Sequence, residues 1–202
     1  LDVPGEYNYR GKGISSCATC DGFLYRDRDV IVVGGGDTAM EDALVLARTS
    51  KTVTIVHRGS TFRRASHALS SRVLKHPKIK ILWNTVVIKF LGGDENDGGG
   101  GDVSGVVLRT KTKEGTKESE EKTSTTELNI GAAFIAIGHD PNTKFLKTTT
   151  NLNIDSHGYV VRKNGMSTET SIEGIFAAGD VTDATYRQAV TSADQERKQH
   201  ST

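Results

Sequence analysis

The chain has few of the residues that would cross-link it or place it in a membrane. Its 202 residues include two cysteines, three prolines and one tryptophan, and no apolar run approaches the roughly 20 residues that a bilayer span requires. The net charge is +1 and the basic residues are dispersed, which argues against binding to nucleic acid or to an anionic membrane. The N-terminal residues lack the apolar core and cleavage pattern of a signal peptide, so we expect a soluble globular protein that is not exported.

The two cysteines, Cys17 and Cys20, lie three positions apart in SCATCDGF, directly before Asp21. A bridge across so small a loop would contribute little to stability, because the loop-entropy benefit grows with loop length. A zinc site would need two further ligands, but there is no second Cys-x-x-Cys and the six histidines show no paired spacing. Redox chemistry is therefore the favoured function of the pair, with zinc binding and an inert reduced pair as the alternatives.

A βαβ pattern follows the cysteines. Residues 29–33, DVIVV, form a short β-branched run typical of a strand buried on both faces of a parallel sheet. In residues 38–48 apolar side chains recur at helical spacing, and residues 53–56 supply a second strand. The order of strand, glycine turn, helix and strand predicts a Rossmann-like unit with a right-handed crossover.

The glycine turn of this unit has the form G-x-G-x-x-A, with Gly34, Gly36 and Ala39 at the three positions. Gly34 permits a tight turn, Gly36 lets the main chain approach a pyrophosphate, and Ala39 allows close packing of helix on strand. The N-terminus of the following helix offers unpaired N–H groups and a partial positive charge. The turn therefore predicts a dinucleotide-phosphate site.

The end of the second strand indicates which dinucleotide is bound. An NAD site would have an acid there for the ribose hydroxyls, about 20 residues after the glycines. This chain instead has His57 and Arg58, followed by Arg63 and Arg64. Guanidinium groups bind phosphate oxygens in a bidentate manner, so the cluster favours the 2′-phosphate of NADP(H).

The remaining segments are a mixture of predicted strands, one helix and loops. We expect a helix at 65–74, a strand at 78–83, hairpin strands up to about 137, polar loops at 92–102 and 111–127, a buried strand at 132–138, a turn or hinge at 139–143, and a second buried strand at 174–180.

Taken together, the motifs resemble those of the low-molecular-weight NADPH-dependent thioredoxin reductases of bacterial and plant type. The matching stretches are GISSCATCDGF, GGGDTAMEDA, HRGSTFRR, KIKILWNT, AIGHDPNT and GIFAAGDVTDATYRQAVTSA. The resemblance implies a two-domain flavoprotein in which NADPH reduces FAD, the flavin reduces the disulfide, and the dithiol reduces thioredoxin. It also implies a homodimer, for which we expect a cytoplasmic location.

The same resemblance implies roles for individual residues. Cys20 corresponds to the thiol beside the flavin, Cys17 to the thiol that attacks the thioredoxin disulfide, and Asp21 to the proton donor and acceptor. A carboxylate beside the pair suits thiol exchange, which needs a thiolate attacker and a protonated leaving sulfur. Asp180 corresponds to a residue that binds the flavin's ribityl and phosphate region, and residues 187–189 to a segment near the isoalloxazine ring.

We therefore predict an α/β protein with two parts. Residues 1–138 are expected to form a Rossmann-like NADPH-binding domain with a central sheet, a hairpin layer and the redox dithiol, and residues 139–202 the incomplete C-terminal part of an FAD-binding α/β domain. The predicted cofactor-binding residues are Gly34, Gly35, Gly36, Asp37, Thr38, Ala39, His57, Arg58, Arg63, Arg64, Ile137, Gly138, Gly179, Asp180, Arg187, Gln188 and Ala189.

The chain departs from the family pattern in three places. The family's separate N-terminal FAD-binding βαβ unit is absent, Gly59 stands where a second arginine is usual, and a short charged tail replaces the usual closing helix. We therefore expect a fragment of a longer reductase. A catalytically incomplete NADP(H)-binding module and a related flavoprotein disulfide reductase with another protein acceptor are the alternative functions.

Overall fold

The computed structural model describes residues 1–93, 101–113, 121–148, 151–164, 167–184 and 189–197. They belong to two compact units, Leu1–Gly138 and His139–Thr202. The assignment of these units to an NADPH-binding domain and to part of an FAD-binding domain stays a prediction. No helix in the described ranges is long and apolar enough to cross a bilayer.

A five-stranded parallel sheet forms the centre of the first unit, in the order β1-β8-β2-β3-β4. Its strands are β1 (Ile14–Ser15), β2 (Asp29–Gly34), β3 (Thr52–Val56), β4 (Ile79–Leu82) and β8 (Ala132–Ala136). The helices are α1 (Ala18–Asp21), which continues into a 3₁₀ turn at Gly22–Tyr25, α2 (Asp37–Leu46) and α3 (His67–Leu74). The predicted βαβ unit is thus confirmed as β2-α2-β3, each boundary lying within two residues of its expected position.

Both faces of the parallel sheet are buried, as the β-branched run of β2 predicts. Val30 and Val32 belong to the core under α2 and α3, while Ile31 and Val33 belong to the core on the opposite face. Successive side chains of a strand point to opposite faces, so four consecutive apolar residues require a cover on each side.

The cover on the second face is a three-stranded antiparallel sheet in the order β5-β6-β7. Its strands are β5 (Thr85–Gly92), β6 (Val103–Lys113) and β7 (Glu121–Asn129). Phe90 and Val106 of this sheet are almost fully buried in the same core as Ile31. The predicted hairpin layer is confirmed.

The polar segment 111–127 was predicted to be a loop, which is wrong for its two ends. Lys111 pairs with Thr123 and Thr112 with Lys122 in the β6-β7 ladder, so the hairpin strands extend well beyond the core. The described side chains there are exposed. An exposed two-stranded ribbon needs cross-strand pairing but no apolar face. Strands of this kind therefore cannot be recognised from the polar composition of the segment. Residues 114–120, and 94–100 of the other predicted loop, lie outside the described residues.

The second unit has little regular structure in its described part. Two 3₁₀ helices (Lys144–Thr148 and Gly179–Val181) and α4 (Ala189–Arg197) accompany several isolated β-bridges. The buried strand predicted at 174–180 is wrong, because Ile175 and Phe176 are 39% and 47% exposed, and the one bridge that this segment makes to another described residue joins Phe176 to Glu169. An apolar run becomes a buried strand only where neighbouring strands cover it.

Candidate functional site

The predicted site residues of the first unit gather at one edge of the parallel sheet. Cys17 follows the end of β1, Gly35 and Gly36 follow β2, His57 follows β3, and Ile137 follows β8. These strands are parallel and hydrogen-bonded neighbours, so their carboxyl ends lie along the same edge. This edge is where open α/β sheets bind their ligands.

Cys17 and Cys20 form a disulfide at the start of α1. Cys17 is the N-cap of this helix, and its Sγ accepts a hydrogen bond from the Cys20 N–H at 3.2 Å. Cys17 is half-buried and Cys20 exposed, so a partner can reach the pair from solvent. Within the described ranges no cluster of three or more His, Cys, Asp and Glu side chains could hold a metal ion, and nothing there supplies the further ligands that a zinc site would need.

Asp21 is connected to the cysteine main chain through Ser15. The Ser15 hydroxyl donates a 2.6 Å hydrogen bond to Asp21 Oδ2 and accepts the Cys17 N–H at 3.0 Å. The carboxylate is thereby fixed within the same turn as the disulfide. The sequence analysis missed Ser15, although its place two residues before Cys17 is the spacing of a side chain that accepts a nearby main-chain N–H.

The glycine turn is closely packed at its first glycine and open at its third. A Cβ on Gly34 would collide with the Ala136 carbonyl oxygen, so β2 can approach β8 this closely only because residue 34 is a glycine. A Cβ on Gly36 would meet only the Arg64 carbonyl oxygen, 4.0 Å away. Gly36 is the N-cap of α2 and supplies no side-chain cap, so the first N–H groups of the helix are open to an external acceptor.

His57 joins the glycine turn to the loop that carries the arginines. Its Nδ1 lies 3.1 Å from the Gly34 carbonyl oxygen and its Nε2 3.0 Å from that of Thr61. The ring also packs against Phe62 and Trp83, with ring centroids 5.2 and 5.8 Å away. His57 thus contacts the two parts of the predicted nucleotide site and holds them together, while its ring nitrogens face main-chain oxygens.

The arginine loop lies directly against the glycine turn. Gly36 and Arg64 form a β-bridge, and Asp37 Oδ1 accepts the Ser66 N–H at 2.6 Å. Arg58, Arg63 and Arg64 are all exposed, so their guanidinium groups can reach a ligand at this edge. The structure therefore places the predicted phosphate turn and the predicted 2′-phosphate cluster side by side, and the donor set fits a dinucleotide with an additional phosphate.

The other predicted cofactor residues of this unit lie nearby. Thr38 is exposed in the first turn of α2, and Ala39 is fully buried beneath it. Ile137 is 54% exposed, and Gly138 has a φ of +101° with open space around it. Both positions follow β8 at the edge that carries the glycine turn.

In the second unit, the Gly179 N–H donates to Gln195 Oε1 of α4 at 2.8 Å, and Gly179 has a φ of +77°. Asp180 is exposed and lines a crevice of about 310 Å³ with residues that include Tyr159 and Asp140. Its carboxylate can accept hydrogen bonds from the hydroxyls of a ligand. Ala189 begins α4, and Arg187 and Gln188 lie outside the described residues.

Asp42 is a second residue that the sequence analysis missed. It lies on α2 and is 8% exposed, and burial raises the pKa of its carboxyl to about 6. Its Oδ2 has no hydrogen-bond partner in the described part of the protein. The sequence offered one signal of its burial, because Asp42 lies near Ala39 and Ala43, which are buried positions of the same helix.

Comparison with known proteins agrees with this geometry. The family model described as pyridine nucleotide-disulphide oxidoreductase matches residues 1–195. A thioredoxin reductase of Coxiella burnetii is 46% identical over 96% of this chain and 57% of its own length. The solved thioredoxin reductases of Giardia duodenalis and Streptococcus pyogenes align with TM-scores of 0.75 and 0.77 at 38% and 36% identity, over 98% of this chain and 59% and 58% of theirs.

The resemblance drawn from the motifs and the predicted α/β class are thus confirmed. The chain spans a little over half the length of the curated relatives it matches, between 54% and 57%. The family description names a pyridine nucleotide and a disulphide, and this sheet edge carries a glycine turn and the Cys17–Cys20 disulfide. The chain belongs to the pyridine nucleotide-disulphide oxidoreductase family and is similar to its thioredoxin reductases.

Proposed function

We propose that this chain is the NADP(H)-binding and dithiol-bearing part of a thioredoxin-disulfide reductase. In this function electrons pass from NADPH through FAD to the Cys17–Cys20 pair and on to thioredoxin. The observation that supports it most directly is that the disulfide and the glycine turn share one edge of one parallel sheet. The similarity to thioredoxin reductases supports the same assignment.

The first unit would hold NADPH through its main chain and its arginines. The open N–H groups at the start of α2 suit the pyrophosphate, with Gly36 allowing close approach. Arg58, Arg63 and Arg64 are the exposed cations available to the 2′-phosphate. When bound, the nicotinamide supplies the hydride.

The dithiol would carry out two exchange steps with thioredoxin. The Cys17 thiolate attacks one sulfur of the thioredoxin disulfide, forming a mixed disulfide and releasing the other thioredoxin sulfur as a thiol once it gains a proton. Cys20 then attacks Cys17, which re-forms the Cys17–Cys20 bond and releases the second sulfur. Asp21, which the Ser15 hydroxyl holds by a hydrogen bond, would move a proton between these steps.

The second unit would contribute to FAD binding through the exposed carboxylate of Asp180 and the start of α4 at Ala189. Arg187 and Gln188 are proposed from the resemblance alone. When bound, the flavin supplies electron transfer between nucleotide and dithiol. Following the resemblance, we further propose that the protein acts as a homodimer in the cytoplasm.

The test is NADPH-dependent reduction of thioredoxin by flavin-loaded protein that carries this chain. We expect turnover that Cys17→Ser and Cys20→Ser each abolish while NADPH binding persists. Turnover unchanged by either substitution would refute the proposal. Turnover with another protein disulfide but not with thioredoxin would keep the dithiol chemistry and replace the acceptor.

A further inference from the structure

A crevice of about 430 Å³ lies between the two sheets of the first unit. One side is formed by β2, β3 and β4 of the parallel sheet, and the other by residues 128–130 at the end of β7. Its lining includes Asp29 and Thr52, the first residues of β2 and β3, whereas the disulfide and the glycine turn follow the ends of strands. Its size falls in the range of about 300–1,000 Å³ that is typical of small-molecule sites.

The crevice exists because the antiparallel sheet covers only part of the parallel sheet. Ile31, Thr54 and Lys80 are partners in register across β2, β3 and β4, so their side chains share one face. Along this row Ile31 is fully buried, Thr54 is half-buried and Lys80 is exposed. The cover therefore ends between β2 and β4, and the space beyond its edge is open to a ligand.

The surface inside the crevice combines apolar walls with unpartnered polar groups. Leu82 and Leu128 line it and are only half-buried, although both pack against the core between the sheets. The Thr54 hydroxyl and the Lys80 ammonium group form no hydrogen bond or ion pair with any residue in the described ranges. A mainly apolar surface with a few polar groups is the usual lining of a small-molecule site.

The charges in the crevice indicate the sign of the ligand. Its charged lining residues are Asp29, Lys51 and Lys80. The Asp29 carboxylate already accepts the Thr52 hydroxyl at 2.7 Å and the Lys51 ammonium group at 3.3 Å. Asp29 and Lys51 therefore balance each other, and the charge of Lys80 remains to attract an anion.

We infer that this crevice binds a small amphipathic carboxylate, whose carboxylate group pairs with Lys80 beside the Thr54 hydroxyl and whose aliphatic chain lies between Leu82 and Leu128. At about 30 Å³ per non-hydrogen atom, the share of a water molecule in the liquid, the crevice has room for roughly ten to fifteen such atoms. This size corresponds to a carboxylate of medium chain length. The inference does not depend on the proposed function, because it uses neither the disulfide nor the glycine turn.

The first experiment titrates octanoate into the full chain, labelled at its isoleucine and leucine methyl groups, and follows the methyl resonances by NMR. We expect saturable shifts at Leu82 and Leu128, and none at Leu46, which is buried in the core under the helices. Octylammonium, which has the opposite charge, should bind less tightly than octanoate. Octanoate shifts confined to other methyl groups, or equal affinities for the two ions, would overturn the inference.

The second experiment removes the cation. Lys80→Gln should lower the affinity for octanoate about three- to fivefold, as expected for one partly exposed ion pair, and leave the affinity for octanol unchanged. Lys89→Gln is the matched control, because Lys89 is also an exposed strand lysine but does not line the crevice. If both substitutions have the same effect, or if octanol and octanoate lose affinity equally in Lys80→Gln, the crevice does not recognise a carboxylate.

The third experiment should change the affinity in the opposite direction. Asp29→Asn keeps an oxygen acceptor for Thr52 but removes a negative charge, so it should raise the affinity for octanoate about twofold. An unchanged or lower affinity in this variant would contradict the proposed charge pairing. Failure of thioredoxin reduction would leave all three results as they are, so this inference and the proposed function fail separately.

Discussion

The Ser15 hydroxyl donates a 2.6 Å hydrogen bond to Asp21 Oδ2. Because Ser15 also accepts the Cys17 N–H, the acid and the cysteine main chain are fixed to one hydroxyl at the end of β1. The proton transfer proposed for Asp21 would therefore depend on a residue that takes no part in the exchange itself.

Ser15→Ala should slow re-oxidation of the reduced dithiol by a soluble disulfide about tenfold, because a mispositioned acid–base group loses part of its catalytic effect. Stopped-flow measurement of re-oxidation across pH checks this. The control is Ser16→Ala, since Ser16 is exposed and adjacent. If both substitutions slow the reaction equally, the Ser15–Asp21 contact has no special role.

Gly36→Ala should lower the affinity for NADPH and for NADH alike, by about tenfold or more, while leaving the Tm nearly unchanged. The added Cβ meets no protein atom nearer than 4.0 Å, but it occupies the space proposed for the pyrophosphate. Fluorescence titration and thermal unfolding measure the two effects. Gly35→Ala is the contrasting variant, because its Cβ would collide with the His57 ring and should lower the Tm. Unaltered nucleotide affinity in Gly36→Ala would remove the phosphate from this turn.

Arg58→Ala should lower the affinity for NADPH by about one to two orders of magnitude and leave the affinity for NADH almost unchanged, because a charge-assisted hydrogen bond contributes about 1.5–3 kcal/mol. The same titration with both nucleotides gives the ratio. Arg72, exposed near the end of α3, provides the matched control as Arg72→Ala. A loss shared equally by NADPH and NADH would show that Arg58 does not read the 2′-phosphate.

Asp42 should also make stability depend on pH. Its folded pKa of about 6 lies above its ordinary value of 3.8, so the folded state binds more protons than the unfolded state between these values. Protonated Asp42 therefore adds to the free energy of unfolding at low pH. This contribution, up to about 3 kcal/mol, is lost as pH rises through about 6. Asp42→Asn should gain stability relative to the unaltered chain over this window. Urea unfolding of both proteins at a pH below and a pH above this window checks the direction of the change. A gain in stability that is the same at both pH values would contradict the prediction.

Local sequence patterns predicted the βαβ core because its signals are contiguous. The β-branched run of β2, the helical spacing of α2 and the glycines between them each specify a structure within a few residues. Contacts between distant segments were missed for the opposite reason. His57 meets the Gly34 carbonyl oxygen only after β2 and β3 pair, and nothing in either segment specifies that contact.

The polar hairpin and the segment 174–180 illustrate a second limit. Pairing between Lys111 and Thr123 depends on main-chain hydrogen bonds, which composition does not reveal. The apolar run at 174–180 carries a strand signal, yet Ile175 and Phe176 remain exposed in the second unit. A strand pattern reports that a segment can be buried in a sheet, and the fold decides whether neighbouring strands are present to bury it.

The central claim is that electrons from NADPH reach the Cys17–Cys20 disulfide. The most direct measurement adds NADPH anaerobically to flavin-loaded protein carrying this chain, blocks new thiols with an alkylating reagent, and locates the label by peptide mass spectrometry. Labelling of both Cys17 and Cys20, dependent on NADPH and on flavin, is the predicted result. A flavin that becomes reduced while the disulfide stays closed would contradict the account.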